Sequence, residues 1–206
     1  MSNANLTANP VAEAADSRRS VRKFTGEPVP AADLRELVRV AGRAPSAFNV
    51  QPWRFVVVTD PAIKTRLREA AFGQQQVTGA PAVIVLYSDM RDALDTVDEA
   101  IHPDVQGEKR EAQKKSLVGS FAAHSDDERE AWGAQQSNIA LGYLLLSAEA
   151  MGLGTSPMLG FQPAKVKEIL GLPAHVQIPA MVALGYPAEE GFGSHRHEVE
   201  RTTSFR

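Results

Sequence analysis

Leu34, Leu37, Val38 and Ala41 recur at the i, i+3, i+4, i+7 spacing of one helical face, with mostly polar residues between them. Residues 31–43 therefore predict an amphipathic helix. Unbroken runs of β-branched and aliphatic residues predict strands instead. Phe55-Val56-Val57-Val58 (within 54–59) and Ala82–Tyr87 have the continuous apolar character of strands covered on both faces. Between them, Asp60-Pro61 places a capping side chain before a favoured first helical residue, and Ile63, Leu67, Ala70 and Ala71 keep one apolar side on the helix that follows. Pro10 opens an earlier helix with Val11, Ala14 and Ala15 on one side, and this helix runs into Arg18. Trp132–Met151 is apolar nearly all round, through Ile139, Leu141 and Tyr143–Leu146, so it must be buried on most sides. In a small chain a second copy can supply that cover. Gly152 closes this helix as the glycine just past its end. A strand at 154–157, a helix near 163–170 and a strand at 177–184 follow.

The remaining stretches lack such order. Residues 89–131 are rich in Asp, Glu, Lys and Gln with weak periodicity, and read as helical excursions on the surface, broken at His102-Pro103-Asp104 and His124-Ser125-Asp126. Residues 1–9 read as a flexible arm and 188–206 as a charged C-terminal extension. Helices and strands intermix throughout, which predicts a mixed α/β layer architecture in one domain spanning 1–206.

Composition narrows the classes. The chain has 206 residues, 43% of them hydrophobic, with a net charge of −3. An ordinary core is available, and no strongly cationic field invites nucleic acid. There are no cysteines, which removes disulfides and Cys-based metal sites and fits a reducing cytoplasm. No apolar run approaches the ~18 residues of a membrane span, and residues 1–9 lack the charged start and apolar stretch of a secretory signal.

Two stretches carry candidate chemistry. Arg18-Arg19-Ser20-Val21-Arg22-Lys23-Phe24 gathers four cations and a hydroxyl. A dianionic phosphate needs converging donors, and arginine engages two oxygens at once. A solvated basic patch is the plain alternative, and a localisation or nucleic-acid patch a third. Ala44-Pro45-Ser46-Ala47-Phe48-Asn49-Val50-Gln51-Pro52-Trp53 places Ser46, Asn49 and Gln51 in a backbone restricted by two prolines. That frame suits the polar edge of a planar ring. It also suits an ordinary helix-to-strand turn with Trp53 in the core. His195 and His197 have no carboxylate pattern to complete a metal site, and no metal is expected.

These residues resemble the FMN-dependent nitroreductase family, over most of the chain from about Asp16 to about Arg201. The 18–24 run resembles the opening motif and 44–53 the second. Phe72-Gly73-Gln74-Gln75-Gln76-Val77 resembles a third. Trp132, Gln135, Gln136 and the apolar helix resemble the family's long interface helix, Gly154–Phe161 its loop beside the flavin, and Gly185-Tyr186-Pro187 with the basic tail its close. The resemblance implies an α+β fold of three α/β/α layers around a mixed, mostly antiparallel sheet, an interwoven homodimer, and FMN at the interface, with NAD(P)H as co-substrate. It implies that Arg18, Ser20 and Arg196 hold the phosphate, that Arg19 lies along the ribityl and pyrimidine side, and that Arg22 sits at the N1/O2 edge. Pro45, Ser46, Phe48 and Asn49 would come from the partner subunit. Gln74 or Gln76 would contact the flavin, and Pro157, Met158, Leu159 and Gly160 would pass it, with a backbone N–H at N5. The chain departs from some members in having glutamines where a lysine stands, leaving Arg22 to carry the charge at the pyrimidine edge. It also has one firm cation, Arg196, in the tail, where His195 assists only when protonated.

The implied chemistry passes a hydride from the nicotinamide through flavin N5 to a nitroaromatic, quinone or similar small acceptor. The cofactor performs it, and the protein supplies orientation and charge. Residues 89–131 would form a variable lid, with Phe121 and Trp132 as pocket walls or plain core aromatics. Other readings are an FMN enzyme with another acceptor (a dehalogenase, or an enoate or semialdehyde reductase), a flavin-binding protein without turnover, and a helical domain whose basic run meets an acidic partner.

Overall fold

The structure is a computed structural model and describes residues 9–206; residues 1–8 of the expected arm lie outside these. Asn9 caps the first helix, its Oδ1 accepting from the Val11 and Ala12 N–H groups, and α1 runs over Pro10–Ser17. The predicted amphipathic helix is α2 (Ala31–Ala41), whose buried residues Leu34, Leu37 and Ala41 belong to the predicted stripe. Strand β1 spans Trp53–Val58. Asp60 then caps α3 (Pro61–Ala70), accepting from the Ile63 N–H at 2.8 Å. A short α4 (Gln76–Gly79) precedes β2 (Ala82–Ser88).

The 89–131 region is helical. It holds α5 (Met90–Asp95), α6 (Val97–Ala100) and α7 (Gly107–Phe121), interrupted near both expected breaks. Its last residues belong to α8, which covers Asp126–Ala150 and so starts before Trp132. The reason is local: Ser125 and Glu128 form a reciprocal capping box, which satisfies exposed N–H groups of the first turn. The far end closes on Gly152 at φ +74°. Leu153 N–H reaches the Ala148 carbonyl at 2.8 Å and Gly152 N–H that of Glu149 at 2.9 Å, the double closure that a left-handed glycine permits. Strand β3 (Gly154–Met158), α9 (Pro163–Leu170), β4 (Gln177–Gly185) and α10 (Val199–Thr202) complete the chain.

The four strands lie in the order β1-β2-β4-β3, and every neighbouring pair is antiparallel. Side chains alternate between faces along each strand. Val83, Val85, Met181 and Ala183 enter one core with Leu67, Ala70 and Val77 of α3 and α4 and Val166 of α9. Ala82, Ile84, Val182 and Leu184 enter another with Leu34, Leu37, Leu144 and Ala148 of α2 and α8. The result is three layers, α/β/α. One strand expectation is corrected. β1 is an edge strand, half-buried along much of its length, with Val57 exposed, because among the described residues no second strand pairs with its outer side.

Two further strips attach to this sheet. Ser20 bridges Thr155 in parallel and Phe24 bridges Pro187 antiparallel. Val21 N–H donates to Thr155 at 2.9 Å, Thr25 N–H to Tyr186 at 3.0 Å, and Ala188 N–H to Lys23 at 2.9 Å. Chain beginning and chain end are thereby stitched together beside β3. No helix among the described residues is long and apolar enough to cross a membrane.

Candidate functional site

The basic run occupies the exit of α1. Arg18 is the residue after its last turn, and the backbone beyond it pairs with β3. The returning tail crosses directly over this strip. Gly191 sits at φ +71°, and a Cβ there would lie 3.1 Å from Arg19 Cβ and 3.1 Å from the Ser20 carbonyl oxygen, so glycine is needed for the crossing. The tail thus reaches the run. Arg18, Arg19, Ser20 and Arg22 face Phe192, Gly193, Ser194 and Arg196 across a cavity of about 160 Å³. None of these lining residues is acidic.

The arginines are held differently. Arg18 has a buried Nη1 with no hydrogen-bond partner among the described residues, an expensive state for a charged donor. Arg19 turns back onto its own helix, Nη1 donating to the carbonyls of Asp16, Ser17 and Arg18. This is the favourable place for a cation at a helix C-terminus, and it leaves Arg19 fewer free N–H groups than expected. Arg22 presents an exposed side chain, while its backbone N–H donates to Glu189 Oε1 at 2.9 Å. His195 and His197 are exposed, and the His195 carbonyl accepts from Arg196 Nη1 at 2.8 Å.

The flanking loop lies on the same edge strand. β3 carries Thr155, which meets Ser20, and ends at Met158. Leu159 and Gly160 follow exposed. Gln74 Nε2 donates to the Gly160 carbonyl at 2.7 Å, and Gln76 Nε2 to Gln74 Oε1 at 2.9 Å. The glutamine motif and the β3 exit are therefore joined. Pro157 is half-buried in the ladder opposite Val182. Met158 is buried in the core, so its side chain supports the sheet and only its backbone is free to approach a ligand.

The second motif is strained. Phe48 and Asn49 both have φ 56° and Gln51 has φ 45°, a left-handed region that costs a residue other than glycine on the order of 1–3 kcal/mol. Several contacts hold this shape, among them Arg54 Nη1 of β1 donating to the Gln51 carbonyl at 2.9 Å. Ser46 Oγ accepts from Gln51 N–H at 3.0 Å, Gln51 Nε2 donates to Asn49 Oδ1 at 3.2 Å, Asn49 Nδ2 donates to the Ala100 carbonyl at 3.0 Å, and Ala47 N–H donates to Gln136 Oε1 at 2.9 Å. Pro45 and Phe48 remain exposed. Phe48 meets the edge of Phe121, which is buried against Trp132; Trp53 is core, as an ordinary turn would have it. Within one chain the structure does not bring Pro45, Ser46, Phe48 or Asn49 to the arginine cavity. Phe48 and Asn49 line two other cavities, against α6 and α7 and against α5 and α6.

Sequence reading missed a buried polar cluster at the far end of β2. Glu130 Oε2 accepts from Ser88 Oγ at 2.6 Å and its Oε1 from Met90 N–H at 2.7 Å, and His175 Nε2 meets Asp89 Oδ1 at 3.0 Å. Burial pushes the Glu130 carboxyl above the usual range, against the pull of those two donors. Asp89, Glu130 and His175 offer ligand atoms within 4.8 Å of one another, but both Glu130 oxygens are already taken. Lys64 is likewise buried, its Nζ on the Ala80 carbonyl at 2.7 Å, and burial lowers its pKa. Glu189 was also missed, as was the hold of Gln136, named above only with the interface helix, on the second motif. Both contacts are long-range and neither has a local signal.

Comparison with known proteins agrees over nearly the whole chain. Residues 15–186 match the model of the nitroreductase family. A Thermus thermophilus protein named NADH dehydrogenase is 60% identical over 193 residues, covering 94% of each chain. An iodotyrosine deiodinase from Thermotoga neapolitana is 29% identical over 90% of this chain and 92% of its own. A solved structure from Exiguobacterium sibiricum, in complex with FMN, superposes with a TM-score of 0.86 at 25% identity, covering 98% of this chain and 100% of that one.

Proposed function

The chain belongs to the nitroreductase family, and from that premise we propose an FMN-dependent oxidoreductase that takes a hydride from NAD(P)H and delivers it to nitroaromatics, quinones or similar small acceptors in ping-pong order. One observation carries the reading. Arg18 has a buried Nη1 with no partner among the described residues, and Arg18 also lines, with Arg19, Ser20, Arg22 and Arg196, a cavity whose lining holds no acid. Uncompensated cations at close quarters repel one another, and a phosphate dianion converts that repulsion into charge-assisted hydrogen bonds. The residues present thus fit the phosphate of FMN.

Bound FMN supplies a hydride-accepting N5 on a face that the nicotinamide and the acceptor use in turn. The chain supplies the surroundings. Arg18, Ser20 and Arg196 grip the phosphate. Arg19, anchored on the end of α1, lines the ribityl and pyrimidine side with its remaining N–H groups. Arg22 sets a permanent cation at the N1/O2 edge, where it offsets negative charge. Gln74 and Gln76 border the ring, and Gln74 fixes Gly160 through its carbonyl, leaving the Gly160 N–H to face N5 beside Pro157, Met158 and Leu159. Pro45, Ser46, Phe48 and Asn49 serve the flavin of a second copy, since in one chain they stand apart from the cradle. The active species in this reading is a homodimer, with water as the proton source.

The deiodinase relative favours one second reading, in which the same cofactor serves a dehalogenation. Anaerobic screening of acceptors against the reduced protein separates the two. The test of FMN itself is titration of apoprotein, followed by flavin fluorescence and the visible spectrum. We expect one FMN per chain, and about 10- to 100-fold weaker binding for Arg18→Ala, the loss of charged hydrogen bonds. A wild-type chain that stays colourless in excess FMN sinks the reading.

A further inference from the structure

We infer that Gln136, on α8, is the positioning residue for the Pro45–Gln51 loop, holding it in the strained shape that receives the flavin. This rests on the FMN reading above and adds to it a residue outside those assigned to the cofactor. Four observations lead there. Phe48, Asn49 and Gln51 all occupy the left-handed region, although none is a glycine. Left alone, such a segment relaxes, so something outside it must over-determine its backbone. The contacts of Ser46 with Gln51 and of Gln51 with Asn49 are internal to the loop and move with it. The anchors from outside are the Ala100 carbonyl, taken by Asn49 Nδ2, Arg54 Nη1 of β1, which donates to the Gln51 carbonyl at 2.9 Å, and Gln136 Oε1, which accepts the Ala47 N–H at 2.9 Å.

Of these three anchors Arg54 holds only the exit of the loop, at Gln51, and Gln136 is the rigid one at its head. It projects from the middle of α8, which is packed on the sheet through Ala140 and Leu144, both fully buried. Ala100 ends the four-residue helix α6. The Ala47 N–H is the one backbone donor at the head of the turn that a side chain of the long helix captures, and Ala47 immediately precedes Phe48 and Asn49. Losing the acceptor frees the turn to relax, and the fraction of chains with a competent loop falls. Apparent affinity then falls by the same factor without loss of any direct contact.

The experiment compares Gln136→Leu, which keeps size and loses the acceptor, with Gln136→Glu, which keeps an acceptor oxygen. Hydrogen exchange of the flavin-free proteins should show faster exchange across residues 45–51 in Gln136→Leu, with the rest of α8 unchanged, and wild-type rates in Gln136→Glu. FMN titration should give about tenfold weaker binding and an altered visible circular dichroism for Gln136→Leu, and near-wild-type values for Gln136→Glu. Unchanged exchange at 45–51 together with wild-type FMN affinity in Gln136→Leu overturns the inference, as does Gln136→Glu behaving like Gln136→Leu. Faster exchange at 45–51 in a protein whose wild type binds no FMN overturns the cofactor reading and leaves the anchoring role standing.

Discussion

Arg18 and Arg22 carry the same charge and meet different demands. Arg18 is half-buried with a donor unpartnered, which suits a ground-state grip on phosphate. Arg22 is exposed, its backbone pinned by Glu189, and its proposed work is to stabilise charge that grows only during reduction. Binding and chemistry should therefore separate. We expect Arg22→Ala to slow reduction of bound FMN by NADH or NADPH by about a hundredfold, the cost of losing one preorganised charge-stabilising donor, while FMN affinity changes far less. Stopped-flow absorbance of the flavin measures the rate, and an unchanged rate removes Arg22 from the mechanism. Glu130 gives a pH test. Its carboxyl is raised above the ordinary value of 4.5 by burial. A group raised in the folded state contributes stability that is complete below the unfolded value and is lost as pH climbs through the folded one. Gln cannot ionise and keeps an acceptor for Met90 N–H. The melting temperature of Glu130→Gln should therefore gain on wild type as pH climbs from below 4.5 towards neutrality; parallel curves would show that Glu130 does not titrate there.

At the scale of elements, α8 shows how one helix serves two surfaces. Gly133, Ser137, Ala140, Leu144 and Ala148 form its inner stripe, all buried against the sheet and its neighbours. Small residues dominate the stripe, so Leu144 fills the gap between α8, α2 and β4. Leu144→Ala should cost about 2–5 kcal/mol, the range for a buried leucine whose cavity cannot collapse, read by chemical denaturation. A loss under about 1 kcal/mol would mean that the layers re-pack freely. Residues 97–114 form a second kind of element. Asp98 accepts from Arg110 and Lys114, and those two hydrogen bonds lower its pKa to about 2. The clasp is solvent-exposed, so salt screens it, and it ties α6 to α7 while adding little to the core.

At the scale of the whole molecule the outer face of α8 needs a cover. The sequence predicts burial on most sides, yet in one chain Ile139 and Tyr143 stay exposed beside partly covered Leu145 and Leu146. The proposed homodimer would cover this face and would also bring the Pro45–Asn49 loop of one copy to the cradle of the other. Wild-type protein should run as a two-chain species in light scattering, and Ile139→Lys with Tyr143→Lys should give single chains that also fail to retain FMN. Wild-type single chains that bind FMN fully would break the link between assembly and site.

The sequence alone determined most elements and the identity of both motifs, because those signals are local. A helical stripe in α2, a cap at Asp60 and a left-handed glycine at 152 depend on neighbours within about two turns. It did not reveal that β1 lies at the sheet edge or that α8 starts at its capping box before Trp132. It also missed Arg19 turning back on its own helix and Met158 facing the core. Those outcomes depend on which surfaces meet. No local signal joined Arg196 to Arg18, a pairing only the family resemblance implied, and the tertiary structure sets both on one cavity. The pairing of 20–21 with Thr155, that of 23–25 with 186–188 and the close crossing at Gly191 bring Arg196 there, and Gln136 reaches Ala47 in the same way. Contacts between residues far apart in the chain are selected by packing of the finished layers, and no periodicity along the chain encodes them.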